Sequence, residues 1–484
     1  MSVRVAVLGG IALVMFSIIF FRLWYLQVLS SGQYQAQAQN NQVRDVTVQA
    51  PRGSILDRAG NTLVDNRTAL ALQVQSMELP NSPSRRVKEL KQLGKVTGMP
   101  FHRIHTEIKT QTKDLPSSPV TLRRDVSDNL VYYLRENQNR FPGVSINRVF
   151  VRNYPHGSEA AQILGYTGQV SAAQLKEPQY QGVVAGDTVG EGGVESSYDS
   201  SLRGINGTTR VQVDAAGQPT GGILAQRPPR AGNDLQLTID SRIQQAGEAA
   251  LQGFGLPGAF VAMNVNNGEI LGLGSSPTFD PSALAKPRIS QATYNQIFGD
   301  PKDPLASISA PFFNRAIAGG YPVGSTMKPI TTIAALDSNT IQPGTVINDT
   351  GSFDLGDGST PLRNAGGSAA GPVDLSTALT ISDDYYFYDV GYKIDQLTHG
   401  DTKAGPLETT AESLGLGSDT GIDLPGELPG SVPTPEARNK QYKENTSPNS
   451  PGGTSIKYPP ETTDRPWSVG DSVNLAVGQG DLQT

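Results

Sequence analysis

The sequence contains no cysteine among its 484 residues, which excludes a catalytic thiol, a thiolate metal site and a disulfide framework in one step. Histidine is nearly absent too. Of His102, His105, His156 and His399 only the first two are close, and His-Arg-Ile-His reads as a solvated helix face, with no further ligand beside it to hold a metal. Excess positive charge is missing: 39 Lys and Arg against 45 Asp and Glu leave a net charge of −6, so a nucleic-acid partner, which calls for a basic face, is not expected. There is neither a G-x-S-x-G elbow nor a Walker phosphate loop, and no internal repeat. With 37% hydrophobic and 17% charged residues, the chain is neither disordered nor a multi-span membrane protein. Its 53 glycines and 34 prolines exceed average usage without reaching low complexity, so many loops are expected.

Only one long apolar run is present. From Val5 to Phe21 no residue is charged, and after Arg22 the apolar character resumes through Leu29, near the ~20 residues that cross a bilayer as a helix. Arg4 precedes it, Arg22 can snorkel, and Trp24 and Tyr25 suit an interface. We expect an uncleaved single-pass anchor over 1–30, with the N-terminus in the cytoplasm and the rest outside. A cleaved signal peptide is the alternative, but its apolar region is shorter, about 7–15 residues, and no A-x-A-like site follows.

Residues 30–42 read as a polar spacer helix. Alternation at Val46, Val48 and Ala50 predicts a strand, and Ser54–Asp57 a second one, followed by a tight turn at Arg58–Asn61 into 62–64. Residues 84–110 have helical spacing, and the Pro- and Gly-containing stretch 227–233 reads as a hinge and domain boundary. Beyond it come a strand, a helix capped by Asp240 with Ile243 and Ala246 on one side, and a hairpin over 258–276 turning at Asn266-Asn267-Gly268. Helices are expected at Thr326–Leu336 and Leu375–Ile394, and a polar, Pro-rich surface loop at 439–466.

The chemistry gathers at Pro311–Ile330. Ser325 opens a predicted helix after a Pro-Val-Gly turn, and Lys328 stands three residues on, on the same face. A lysine within reach can serve a serine as base, and helix N-terminal N–H groups can steady an oxyanion. By itself S-x-x-K also fits a capping serine beside a solvated lysine. Ser382-Asp383-Asp384 adds a second element, in which a hydroxyl relays protons and a short polar side chain holds a substrate amide; read alone it is equally a helix N-cap. The pair is much rarer than either part and belongs to the motifs of penicillin-interacting serine enzymes, together with K-T-G.

Several ordered segments carry a wider resemblance: RLWYLQV at the end of the apolar run, RGSILDRAGNTL (52–63), GGVESSYDSSLRG (192–204), LTIDSRIQ (237–244), NRAIAGGYPVGSTMKP (314–329), SDDYYFYDVG (382–391) and WSVGDSVNLAVGQGDL (467–482). Over nearly its whole length the chain resembles the class B penicillin-binding proteins, the monofunctional peptidoglycan D,D-transpeptidases. The resemblance implies an α+β multidomain protein: anchor (1–30), mixed α/β pedestal or dimerisation domain (31–230), and a transpeptidase domain (231–484) with an antiparallel sheet flanked by helices. It implies Ser325 as nucleophile toward a D-Ala-D-Ala stem peptide, Lys328 as general base, Ser382 in proton transfer and Asp384 as a substrate contact. Neither a metal nor an organic cofactor is implied. The implied partners are stem peptides as donor and amine acceptor, β-lactams, and a polytopic membrane glycosyltransferase of the elongation or division machinery.

One departure stands out. No K-T-G or K-S-G follows Gly478-Gln-Gly-Asp481, where the resemblance places a carboxylate-binding strand, so the transpeptidase domain is expected to be C-terminally truncated and inactive by itself. Two other readings remain at this point: a non-catalytic scaffold or β-lactam sensor, and a serine β-lactamase, against which the anchor and pedestal segments count.

Overall fold

The computed structural model describes residues 2–25, 43–113, 119–123, 126–184, 187–213, 219–285, 289–303, 305–398, 403–446 and 465–484. The spacer predicted at 30–42, His399 and most of the 439–466 loop lie outside them. The chain forms two compact units. One holds residues 1–247, 262–272 and 278–294; the other holds 248–261, 273–277 and 295–484.

The first unit begins with α1 (Ser2–Trp24), on which Leu13, Phe16, Ile18 and Phe21 are exposed. Among the described residues no helix is long and apolar enough to cross a membrane. Then come β1 (Val43–Val48), β2 (Ile55–Leu56) and β3 (Thr62–Gln75). Far from ending at residue 64, β3 runs on to pair antiparallel with later strands along its length. Its inward residues Leu72 and Val74 are fully buried. The single helix predicted at 84–110 is two: α2 (Pro83–Thr97) and α3 (Phe101–Gln111). Gly98 breaks it, with a left-handed φ of 69°, and Pro100 cannot continue the first helix.

Next in order are β4 (Pro119–Arg123), α4 (Asp128–Glu136), β5 (Val144–Asn153), β6 (Gly207–Val213), β7 (Pro219–Arg227), β8 (Leu235–Gln236) and α5 (Ser241–Phe254). Strands order as β8-β2-β3-β4, with β5 also on β3, and separately as β1-β6-β7. Leu72, Val74, Leu90, Leu93, Ile104, Val120 and Leu134 share the core between the larger sheet and α2–α4. Asp240 caps α5 as expected, accepting from the Arg242 N–H at 3.0 Å, but the side chain that α5 buries is Gln244 and Ala246 is exposed.

The RGSILDRAGNTL segment earns its residue types structurally. Arg52 binds Glu195 and Asp199, and Arg152 reaches the same Glu195 at 2.5 Å, joining the segment to GGVESSYD through charges shielded from water. Asp57, also buried, accepts from Ala59 N–H, Asn61 N–H and the Ser241 hydroxyl at 2.8–2.9 Å, closing the tight turn. Burial opposes its charge, yet these donors outweigh that and hold its pKa below the usual carboxylate range.

The predicted hairpin is present as β9 (Gly258–Met263) and β10 (Ile270–Ser276), which form a two-stranded sheet. In the second unit follow α6 (Lys328–Asp337), β11 (Val346–Asp349), β12 (Gly371–Asp374), α7 (Leu375–Ile381), α8 (Asp384–Thr398) and α9 (Val469–Ala476). α6 starts later than predicted because Gly324–Met327 is a 3₁₀ turn. The 375–394 helix is interrupted at Ser382, whose φ is 57°. Part of the expected 439–466 loop is helical, within Pro435–Thr446. Met327, Ala334, Ala335, Tyr386, Phe387, Val390, Val473 and Ala476 form the core among α6, α8 and α9.

Candidate active site

Ser325 lies in the 3₁₀ turn that leads into α6, and its side chain is exposed. The turn is anchored from the C-terminal side. Gly324 N–H donates to Gly478 O at 2.8 Å, and the Thr331 hydroxyl to Ala476 O at 2.7 Å. Tyr321 and Thr484 exchange backbone hydrogen bonds at 3.0 and 3.1 Å. At Gly478 a Cβ would sit 2.0 Å from Gly324 O, with φ at +74°, so only glycine lets the two turns approach. Arg315, buried upstream, donates to the carbonyls of Ile308, Ala310 and Phe313 and ties down the loop entering the motif.

Lys328 is 1% exposed. Its ammonium donates to Ser382 O at 2.7 Å, Ser382 Oγ at 3.1 Å and Asp384 Oδ1 at 2.6 Å, which occupies all three of its N–H donors. The Phe387 ring lies 5.7 Å from it. Interrupting the predicted helix makes this possible: with Ser382 in the left-handed region, its carbonyl and hydroxyl both turn to the lysine. Asp384, at the first position of α8, adds its carboxylate where a helix N-terminus favours negative charge.

The structure thus brings three of the four residues expected from the sequence, Lys328, Ser382 and Asp384, into direct contact. The fourth, Ser325, precedes them on the open side, and among the described residues no hydrogen bond to its hydroxyl is found. Asp384 pairs with the lysine, a contact that spacing did not suggest. Residues missed in the sequence stand behind it: Asn364 accepts from Tyr385 N–H at 2.8 Å and donates to Asp349 Oδ2 at 2.8 Å, and Ala365 N–H donates to Asp384 Oδ2 at 3.3 Å. No local pattern marks Asn364, because its partners are distant in sequence. Burial pushes the hydroxyls of Tyr386 and Tyr388 up to about 12; the Tyr386 hydroxyl donates to Thr345 O at 3.1 Å. Both are neutral supports.

Comparison with known proteins fits this geometry. The penicillin-binding protein dimerisation domain matches residues 47–237, and the penicillin-binding protein transpeptidase domain matches 258–461. The peptidoglycan D,D-transpeptidase MrdA of Haemophilus influenzae is 27% identical over 98% of this chain, and that of Escherichia coli 28% over 98%. The chain spans 67% and 69% of the lengths of these two relatives, and 64% of the Acinetobacter baumannii MrdA, to which it is 28% identical. A complex between a Helicobacter pylori penicillin-binding protein (PBP2) and MreC shares the fold, with a TM-score of 0.68 at 23% identity over 91% of this chain and 74% of that one. A structure from a peptidoglycan synthase complex that coordinates polymerization and crosslinking has a TM-score of 0.60 at 26% identity, over 99% of this chain and 75% of that one. With both domains in order and the two serine motifs meeting at one lysine, the chain belongs to the class B penicillin-binding proteins, the peptidoglycan D,D-transpeptidase family.

Proposed function

We propose that Ser325 is the acylated nucleophile of a D,D-transpeptidase, and that Lys328 and Asp384 act together as its acid–base unit. The observation that carries this reading is the convergence of all three donors of buried Lys328 on Ser382 and Asp384. An ammonium with every N–H engaged cannot take a proton. It becomes a base by handing one to the Asp384 carboxylate 2.6 Å away, after which the neutral amine accepts the Ser325 proton as Oγ attacks the carbonyl between two D-alanines. The leaving amine of D-alanine regains a proton by way of Lys328 and Ser382. A second stem-peptide amine then attacks the acyl carbonyl, its proton passing by way of the same pair to Ser325 Oγ as the ester bond breaks, and a cross-link results with the free serine restored. Asp384 is therefore proposed as the lysine's partner, with its Oδ2 side available to substrate.

The domain limits 1–30, 31–230 and 231–484 and a single-pass anchor over 1–30, read from the apolar run that continues to Leu29, with the catalytic unit outside the cytoplasmic membrane, belong to the same proposal. So does a membrane-embedded glycosyltransferase partner, which the likeness to a synthase complex supports. The test is covalent labelling of the full-length protein by a fluorescent penicillin. Ser325→Ala abolishes labelling, Lys328→Ala slows it by about 10²–10⁴, and protease added to intact cells cuts beyond α1 and spares the N-terminus. Labelling that survives in Ser325→Ala overturns the assignment.

A further inference from the structure

Behind the second motif lie two carboxyl groups that acyl transfer does not use. Asp349, at the end of β11, is 2% exposed, and Asp383, between Ser382 and Asp384, is 4% exposed. Asp349 accepts from Gly351 N–H at 2.6 Å, Ala370 N–H at 2.6 Å and Asn364 Nδ2 at 2.8 Å, so three donors surround it. Asp383 differs. Its Oδ1 accepts from Tyr386 N–H at 2.8 Å, while its Oδ2 is buried and meets no donor among the described residues. The charge that bears on Asp383 from β11 is the Asp349 carboxylate, which works against ionisation of Asp383. Two carboxylates cannot share a buried site with both ionised. A proton between them turns the orphaned oxygen into a donor and removes one of the two charges.

We propose that Asp349 and Asp383 share one proton, carried on Asp383 Oδ2, and that this carboxyl–carboxylate bond positions Ser382 and Asp384 against Lys328. The links are continuous. Asp349 holds Asn364, Asn364 receives the Tyr385 N–H in the first turn of α8, and the neighbouring Ala365 N–H reaches Asp384. Asp383 is the residue between the two that touch the lysine, at the point where Ser382 takes its left-handed conformation. Burial raises the pKa of Asp383, Asp349 adds to the rise and Lys328 opposes it. Lys328 comes from α6 and is already paired with Asp384, so it does not neutralise a second carboxylate. Asp374 of β12 and Asp389 of α8 bear on Tyr386. Asp349 and Asp383 are positioning residues, since among the described residues neither forms a hydrogen bond or ion pair with Lys328 or Ser325.

The kinetic consequence rests on the proposed role of Ser325, whereas the shared proton can be read without it. Hydrogen exchange at the Gly351, Ala370 and Tyr386 amides, corrected for intrinsic rates, is measured at pH 6 and pH 9 in the full-length protein and in Asp383→Asn and Asp383→Leu. Asparagine keeps both the acceptor for Tyr386 and a donor toward Asp349; leucine keeps neither. The wild type is expected to lose protection by about tenfold or more on going to pH 9, Asp383→Asn to keep it at both pH values, and Asp383→Leu to lack it at both. Penicillin acylation should follow: Asp383→Asn within about threefold of wild type at pH 6 and faster than it at pH 9, and Asp383→Leu slower by about 10–100-fold. Wild-type protection that ignores pH, or an Asp383→Asn protein as unprotected as Asp383→Leu, overturns the proposal. Should penicillin label no variant, wild type included, the nucleophile assignment fails while exchange still decides the proton. If the leucine variant does not fold, the pH contrast between wild type and Asp383→Asn decides alone.

Discussion

Replacing Asp384 separates a lysine partner from a simple substrate contact. In Asp384→Ala the ammonium of Lys328, with a side chain 2% exposed, loses its only carboxylate partner among the described residues and keeps two neutral acceptors on Ser382. Breaking one side of a buried pair costs about 3–5 kcal/mol; Asp384 is 15% exposed and water can enter, so a smaller cost, about 2–3 kcal/mol, is expected. Asp384→Asn keeps an acceptor oxygen and should cost about 1–2 kcal/mol. The kinetic signature is sharper. Without the carboxylate Lys328 has no group to take its proton, so penicillin acylation should slow by about 10²–10⁴ in Asp384→Asn. Thermal unfolding and second-order acylation rates across pH 5–10 check both. A variant with wild-type stability and an unchanged acylation rate, differing only in affinity for a peptide substrate, would refute the ion-pair role.

Gly478→Ala should depress acylation by about 10²-fold without touching Ser325, because its Cβ would fall 2.0 Å from Gly324 O and shift the nucleophile's turn; unchanged acylation rates would refute the clamp. Glu89 on α2 is buried with one oxygen unsatisfied, and burial, only partly offset by Arg86, pushes its pKa up from 4.5 to about 7. A raised carboxyl contributes stability that is present below pH 4.5 and is lost as pH rises through 7, so Glu89→Gln should stabilise the first unit by about 1–3 kcal/mol at pH 8 and hardly at all at pH 4; calorimetry at both pH values checks the sign. Arg52→Met leaves buried Glu195 with Arg152 alone, and should destabilise that unit by about 3–5 kcal/mol in denaturant unfolding.

Much of the protein is determined by residues close together in the sequence. The apolar run folds as a single helix over Ser2–Trp24, and the Asn-Asn-Gly hairpin closes with Gly268 N–H on Asn264 O at 2.8 Å. The Asp57 turn completes its own hydrogen bonds within four residues, apart from Ser241. The i, i+3 spacing of Ser325 and Lys328 was legible from helical geometry alone, whereas the exposure of Ser325 in a 3₁₀ turn and the burial of Lys328 were not. Gly98 and Pro100, which split α2 from α3, were legible in the same way, although helical spacing on either side masks them. What only tertiary structure decided depends on partners that no local spacing can bring together. Lys328 finds Ser382 across 54 residues, and Arg52 finds Glu195 across 143. β3 extends to Gln75 because Val144–Asn153 supplies the hydrogen bonds its backbone needs. The interruption at Ser382 carries no glycine or proline to announce it. It is held by contacts with a buried lysine, and the helix turn after it by Asn364, so the conformation that makes this serine motif useful arises from the packed core and not from the segment that contains it.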